Sequence, residues 1–313
     1  MQKKYLILYL LIFNVLIFSI SQHLGVKYIF RNTQFDKYLI LTSSTQRTVI
    51  VYNMETEKIE YYFTNVGIFP AISYLDKNLL LIIDTVGTKL ISINLKTHEK
   101  NLKHLEKKPI FYQRDKDKVY ILDTDGNLYG YSFTLHLKYY YKFLSAPNYF
   151  YMYKNYPLGL FIWKKEVDLE YKKKLYNFNL ITPSFLVEDY VVDTRGGNIL
   201  RLVNFKIYKT SPYISFVLNW NKKIYFGSMF SNEIYTIKND KIELWKKLQY
   251  TPTNAKVINN KLYILSAPYN KLMVFNSNGN TKEFKTDKYP IDIFSYKNKV
   301  FVICAENGVI NIF

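Results

Sequence analysis

Cysteine is all but missing from this chain of 313 residues. Cys304 stands alone, so no intrachain disulfide can staple the fold. It lies in the apolar run VFVIC, where a buried strand residue is expected rather than a nucleophile. Histidine is scarce too: His23, His98, His104 and His136 lack metal-site spacing, so neither a metal nor any other cofactor is expected. No Gly-x-Ser-x-Gly elbow marks a nucleophilic serine. With 11 glycines and 9 prolines the chain is neither collagen nor low-complexity, and 49% hydrophobic residues exclude disorder. Only five of the 43 basic residues are arginine (Arg31, Arg47, Arg114, Arg195 and Arg201), leaving 38 lysines. Arginine is the favoured residue for bidentate phosphate and base recognition, so no specific nucleic-acid partner is expected.

The formal net charge is nevertheless +18. The lysines are scattered, and Lys, Ile, Tyr and Asn are all abundant, as an AT-rich genome produces. They read as a solvated surface that attracts anionic polymers in a salt-screened way. At the N-terminus Lys3 and Lys4 precede YLILYLLIFNVLIFSI, Tyr5 to Ile20, and Ser19 and Ser21 occupy the −3 and −1 positions of a cleavage before Gln22. Residues 1–21 therefore read as a signal peptide or an N-terminal membrane anchor. The product would be periplasmic or extracellular, or held to the cytoplasmic membrane by residues 5–20. Membrane contact is expected only through that segment, if it stays uncleaved.

Residues 22–313 carry a repeat, announced by proline. Pro70, Pro109, Pro147, Pro183, Pro212, Pro252 and Pro290 follow one another at 39, 38, 36, 29, 40 and 38 residues. After each comes a short apolar segment (position A), a polar turn, a strongly apolar strand (B), an alternating strand (C) and a polar, lysine-bearing strand (D). PAISYLDKNLLLIID followed by TKLISINL shows A, B and C; KIELWKKL shows D. Period-2 alternation between turn clusters favours strands throughout. Four strands in about 40 residues is the arithmetic of a β-propeller blade. The fold class expected is thus an all-β single-domain propeller. Counting B strands yields eight blades, with seven left open by the indistinct outer strand of the fourth unit. B is expected to be the buried inner strand, D the solvated rim, and VKYIF (Val26 to Phe30) the strand that closes the ring.

The pattern in NKLYILSAPYNKLMVFNSNGNTKEF, with Pro290 after it, resembles the YVTN-type repeat family of propellers, close to the NHL and quinoprotein-like groups. The resemblance implies a ligand site at the ring entrance formed by B–C and D–A loops. That would gather Asp84, Asp123, Asp125, Asp193 and Arg195 on one rim, where an acidic ring could draw a cation or a basic peptide. Turn chemistry explains the same aspartates. Asp123-Thr-Asp125-Gly126-Asn127 also looks like the start of a calcium loop, but Leu135 stands near where the distal glutamate belongs. A second candidate is the aromatic and lysine-rich stretch from Leu137 to Tyr156, with Tyr139, Tyr140, Tyr141, Tyr149, Tyr151 and Tyr153. The reading is an exported envelope scaffold, non-catalytic, with a protein or envelope-polymer partner. The resemblance also admits an envelope enzyme, a quinone-dependent dehydrogenase or lactonase-like hydrolase. Three tryptophans (Trp163, Trp220, Trp245) are few for a quinoprotein. A basic surface protein binding anionic polymer is the other alternative.

Overall fold

The computed structural model describes residues 20–238 and 241–313. Residues 1–19, with nearly all of the export segment, lie outside the described residues. Among the described residues the regular elements are 32 β-strands in eight antiparallel sheets of four, and no helix is long and apolar enough to cross a membrane. The sheets are the blades of an eight-bladed β-propeller. Blades 1 to 7 span residues 31–63, 70–104, 109–142, 149–176, 183–209, 214–247 and 254–285. Blade 8 takes A, B and C from residues 290–312 and its fourth strand from Ile20–His23.

Position explains composition. A B strand such as Leu79–Asp84 is paired on both edges and packed on both faces, so it reads as an unbroken apolar run. The D strand Lys58–Phe63 alternates exposed and half-buried residues on the rim. The strand nearest the axis is A, not B: it leaves one edge open to the central channel and therefore carries more polar side chains. Pro70, Pro109, Pro183 and Pro290 each open an A strand, and the pairing slips by one residue immediately afterwards, which is where a missing N–H is tolerated. The indistinct fourth unit has outer strands of three residues each, Leu169–Tyr171 and Lys174–Tyr176. The 29-residue proline interval matches a fifth blade whose last three strands have four residues each.

The core lies between blades. Ile40, Val49 and Val51 of blade 1, for instance, meet Leu75, Leu80, Ile82 and Ile91 of blade 2. Closure joins the chain ends: Ile20, Ser21, Gln22 and His23 pair with Ile312, Asn311, Ile310 and Val309. Val26 to Phe30 does not form the closing strand. It leaves the sheet after Leu24 N–H donates to the Gly308 carbonyl at 2.9 Å, and Val26 and Ile29 plug the core between blades 8 and 1. Gly308 is required there, with φ +62° and a would-be Cβ 1.5 Å from the Val26 carbonyl oxygen. The segment boundary between Ser21 and Gln22 falls inside the closing strand. Ser21 Oγ donates to Asp287 Oδ2 (2.8 Å) and accepts from Asn311 Nδ2 (2.8 Å).

The propeller therefore has two unlike faces. D–A and B–C connections make a loop face; A–B and C–D hairpins make a hairpin face.

Candidate functional site

The channel opens on the loop face into a cavity of about 920 Å³. A strands supply most of its wall because each starts on this face. Arg31 begins the A strand of blade 1, Ile72 belongs to blade 2, Phe111 and Tyr112 to blade 3, Tyr149 and Tyr151 to blade 4, and Phe185 to blade 5. The B–C turns of blades 5 and 6 add Arg195 and Met229, and Tyr213 arrives from the D–A loop. The aromatic rings support one another: Phe111 meets Tyr149 edge-on at 5.2 Å between centroids. Tyr151 donates its hydroxyl to the Ser184 carbonyl at 2.6 Å. Arg195 lies over the Trp163 ring at 5.1 Å, and Arg31 faces Tyr112. Burial raises the pKa of the Tyr112 phenol, and the Arg31 charge pulls the other way. Neither guanidinium has a carboxylate partner among the described residues. Such a mouth can stack planar or apolar groups and hold an anion beside them.

Around the mouth the loop face is unusually apolar. Trp163 and Phe230 are 63% and 71% exposed, and Ile68, Leu144, Ile181, Tyr269 and Tyr289 also stand out from its loops. Phe230 stacks on Tyr213 at 6.3 Å and so extends the cavity wall outward.

The aspartates of the sequence reading sit on this face with a different task. Asp84 ends the B strand of blade 2, fully buried, and accepts the amides of Ile68 (2.8 Å), Phe69 (2.8 Å) and Gly87 (2.9 Å). Burial alone would raise its pKa; these amide hydrogen bonds outweigh burial and hold it below the ordinary value. In blade 5 Asp193 accepts the amides of Ile181, Thr182 and Gly196, and the side-chain amide of Asn198. Asp123 ties its own turn through the amides of Asp125 and Asn127, with Gly126 at φ +82°. The calcium-like sequence is therefore a turn here. Asp125 alone is exposed, 3.3 Å from Lys107. The buried carboxylates fasten D–A loops and B–C turns instead of facing the channel. Among the described residues no three His, Cys, Asp or Glu side chains gather as metal ligands.

The aromatic stretch is divided. Tyr139, Tyr140 and Tyr141 lie on the rim strand of blade 3, Leu137–Lys142, whereas Tyr149, Tyr151 and Tyr153 lie on the channel-side strand of blade 4, Tyr149–Tyr153. Tyr139 packs edge-on against Tyr120 and Tyr141 against Phe143, both in the blade 3–4 core, and Tyr140 is exposed. Of the eleven sequence candidates, only Arg195, Tyr149 and Tyr151 line the mouth. Arg31, Phe111, Tyr112, Phe185 and Tyr213 were missed. The usable signal was their place within four residues of an A-strand start. Glu170 was missed as well: buried in blade 4, it accepts the Leu144 amide at 2.9 Å, and burial raises its pKa against that bond.

Deeper in the channel, Lys256 of blade 7 donates to the Ile293 carbonyl (3.1 Å) and lies over Phe294. Asp292 of blade 8 has the Ile293 amide at 2.8 Å. Burial lowers the Lys256 pKa and pushes Asp292 up to about 6, with the Lys256 charge opposing the latter shift. A folded-state value above the usual 3.8 means that acid favours the fold at this site. The contribution is intact below about pH 4 and is lost as pH rises through 6. Asp292 is only half-buried by exposed area, which tempers the penalty. Asp292→Asn is thus expected to stabilise the protein by about 1–2 kcal/mol at pH 8 and not at pH 4. Denaturant unfolding of both chains at the two pH values checks this, and an equal difference at both would contradict it.

No protein-family model and no curated protein matches the sequence. Solved structures do match in shape. Virginiamycin B lyase from Staphylococcus aureus superposes with a TM-score of 0.58 at 11% identity, over 94% of this chain and 98% of that one. BamB from Moraxella catarrhalis has a TM-score of 0.63 at 13% identity, over 94% and 98%. Saccharomyces cerevisiae Sqt1 has 0.69 at 10% identity, over 94% and 97%. At such identities the likeness establishes the β-propeller fold and nothing finer.

Proposed function

We propose that this propeller is a non-catalytic scaffold of the cell envelope, reached by export, that seats a protein partner on its loop face. One observation carries the reading: exposed apolar side chains collect around an aromatic mouth in which Arg31 and Arg195 have no carboxylate partner. The partner expected is a segment with aromatic or aliphatic anchors and acidic side chains. Membership of the YVTN-type repeat family belongs to the same proposal and rests on the B-to-D sequence pattern. None of the four histidines lines the mouth, and the buried aspartates of this face are occupied by backbone amides.

A photo-crosslinking side chain at Phe230, in the full chain in its host, is expected to yield one discrete heavier adduct. The same group at Tyr140 on the rim should yield none. Arg31→Glu with Arg195→Glu should abolish the adduct while leaving the far-ultraviolet spectrum unchanged. Equal adducts from Phe230 and Tyr140, or none from Phe230, would refute the assignment.

A further inference from the structure

The run from Tyr5 enters the ring at Ile20, which pairs with Ile312 at the end of the blade 8 C strand. C strands end on the hairpin face, so the apolar segment joins the protein there, on the side away from the aromatic mouth. The hairpin face is built differently from the loop face. Its A–B turns are two-residue turns with left-handed backbone, a geometry that favours asparagine and glycine. Lysine nevertheless takes this conformation at Lys77, Lys116, Lys154, Lys222 and Lys297. Near blade 8 the charge is largely neutralised, since Glu55 pairs with Lys37 (3.1 Å) and Lys297 (2.6 Å) and Glu57 with Lys299. Across the ring, on blade 4, Lys154, Lys172 and Lys173 have no ion pair among the described residues and lie over tyrosine rings.

The same sector carries an apolar projection. Val203 and Phe205, on the C–D hairpin of blade 5, are 61% and 50% exposed. Tyr156, which opens the B strand of blade 4 and meets Tyr171 edge-on, is 48% exposed. Phe205 is itself left-handed, at φ 55°, and stacks on Phe178 at 5.4 Å, which fixes its ring at the tip. Below Val203 and Phe205 a groove of about 320 Å³ runs between blades 4 and 5. Apolar tips framed by lysine ammoniums on aromatic stems match the headgroup boundary of an anionic bilayer, where the rings and aliphatic groups are buried and the charges stay at the phosphates.

We propose that the hairpin face is the membrane side of this protein. Blade 8 is tethered by the Tyr5–Ile20 run, and the Tyr156, Val203 and Phe205 patch, on blades 4 and 5 at the far side of the ring, seats in the headgroup layer of an anionic bilayer. The ring then lies flat, and the aromatic mouth points away toward its partner. The inference rests on retention of the apolar run as an anchor, part of the envelope reading above.

The test uses the full chain reconstituted in phosphatidylcholine vesicles with and without phosphatidylglycerol. Cys304 is buried, so an environment-sensitive dye can be placed selectively through Val203→Cys or, on the opposite face, Phe230→Cys. Dye at position 203 is expected to be quenched several-fold more than dye at position 230 by lipid-borne quenchers, and more strongly with phosphatidylglycerol. Lys154→Gln, Lys172→Gln and Lys173→Gln together should reduce that quenching while the protein still floats with vesicles. Flotation with position 203 left in water would overturn the seated patch and spare the anchor. Failure to float would overturn both. Dye at position 203 already shielded in detergent would mean that chain or a second copy covers the patch, and that too overturns the proposal.

Discussion

Asp193→Ala is expected to lower the unfolding free energy by about 3 kcal/mol or more. The fully buried carboxylate accepts three backbone amides, from Ile181, Thr182 and Gly196, and one side-chain amide from Asn198. Alanine leaves those donors without acceptors in a site too tight for ready hydration: a Cβ on Gly196 would lie 2.0 Å from Asp193 Oδ2. Asp84→Ala is the matching case in blade 2. There the loss is expected to shrink in acid. The Asp84 pKa is held below the ordinary 3.8, so its stabilisation is present above that value and disappears as pH falls below it. Asp125→Ala provides the contrast, because its exposed pair with Lys107 is worth less than about 1 kcal/mol. Denaturant unfolding of the three variants decides the matter. Similar small losses at all three would mean that the buried carboxylates do not fasten the loops.

Asn311→Leu is expected to cost about 3 kcal/mol and to make Cys304 reactive. Asn311, 1% exposed, is the junction of ring closure. It accepts the Asp287 amide at 2.7 Å and the Cys304 thiol at 3.3 Å, and donates to Ser21 Oγ at 2.8 Å and Asp287 Oδ2 at 2.7 Å. Burial alone would raise the Asp287 pKa, yet hydrogen bonds from Asn311, Ser21 and Asn307 hold it below the ordinary value. Leucine matches the volume and removes every one of these bonds, so the fourth strand of blade 8 should loosen. In the native ring burial pushes the Cys304 thiol up to about 12, which leaves almost no thiolate at neutral pH. Thiol labelling should therefore be slow in the native protein and much faster in Asn311→Leu. Unchanged labelling together with unchanged stability would show that closure does not depend on this junction. A chain cut between Ser21 and Gln22 should show a milder form of the same defect, since it loses the pairs Ile20↔Ile312 and Ser21↔Asn311.

Much of the architecture was legible because it is local. Blade period and strand positions follow from proline spacing and from runs such as LLLIID and VFVIC, whose apolar continuity reflects pairing on both edges; counting those runs yields eight blades, and the structure removes the alternative of seven. Aspartate at the end of a B strand was legible as turn chemistry for the same reason. Asp123 binds amides only two and four residues away.

What the tertiary structure decided depends on groups far apart in sequence. Closure selects Ile20–His23 over Val26–Phe30 because the partner strand lies almost the whole chain away, and either segment could pair in isolation. Asp84 and Asp193 turn from the channel toward amides that another blade's exit delivers beside them. The aromatic stretch divides between rim and channel because one connection carries the chain from the outer edge of blade 3 to the inner edge of blade 4. Local periodicity determined the blades of this protein. Ring geometry alone placed Arg31 beside Tyr112 and in one cavity with Tyr213, since side chains from six blades meet only where the A strands converge.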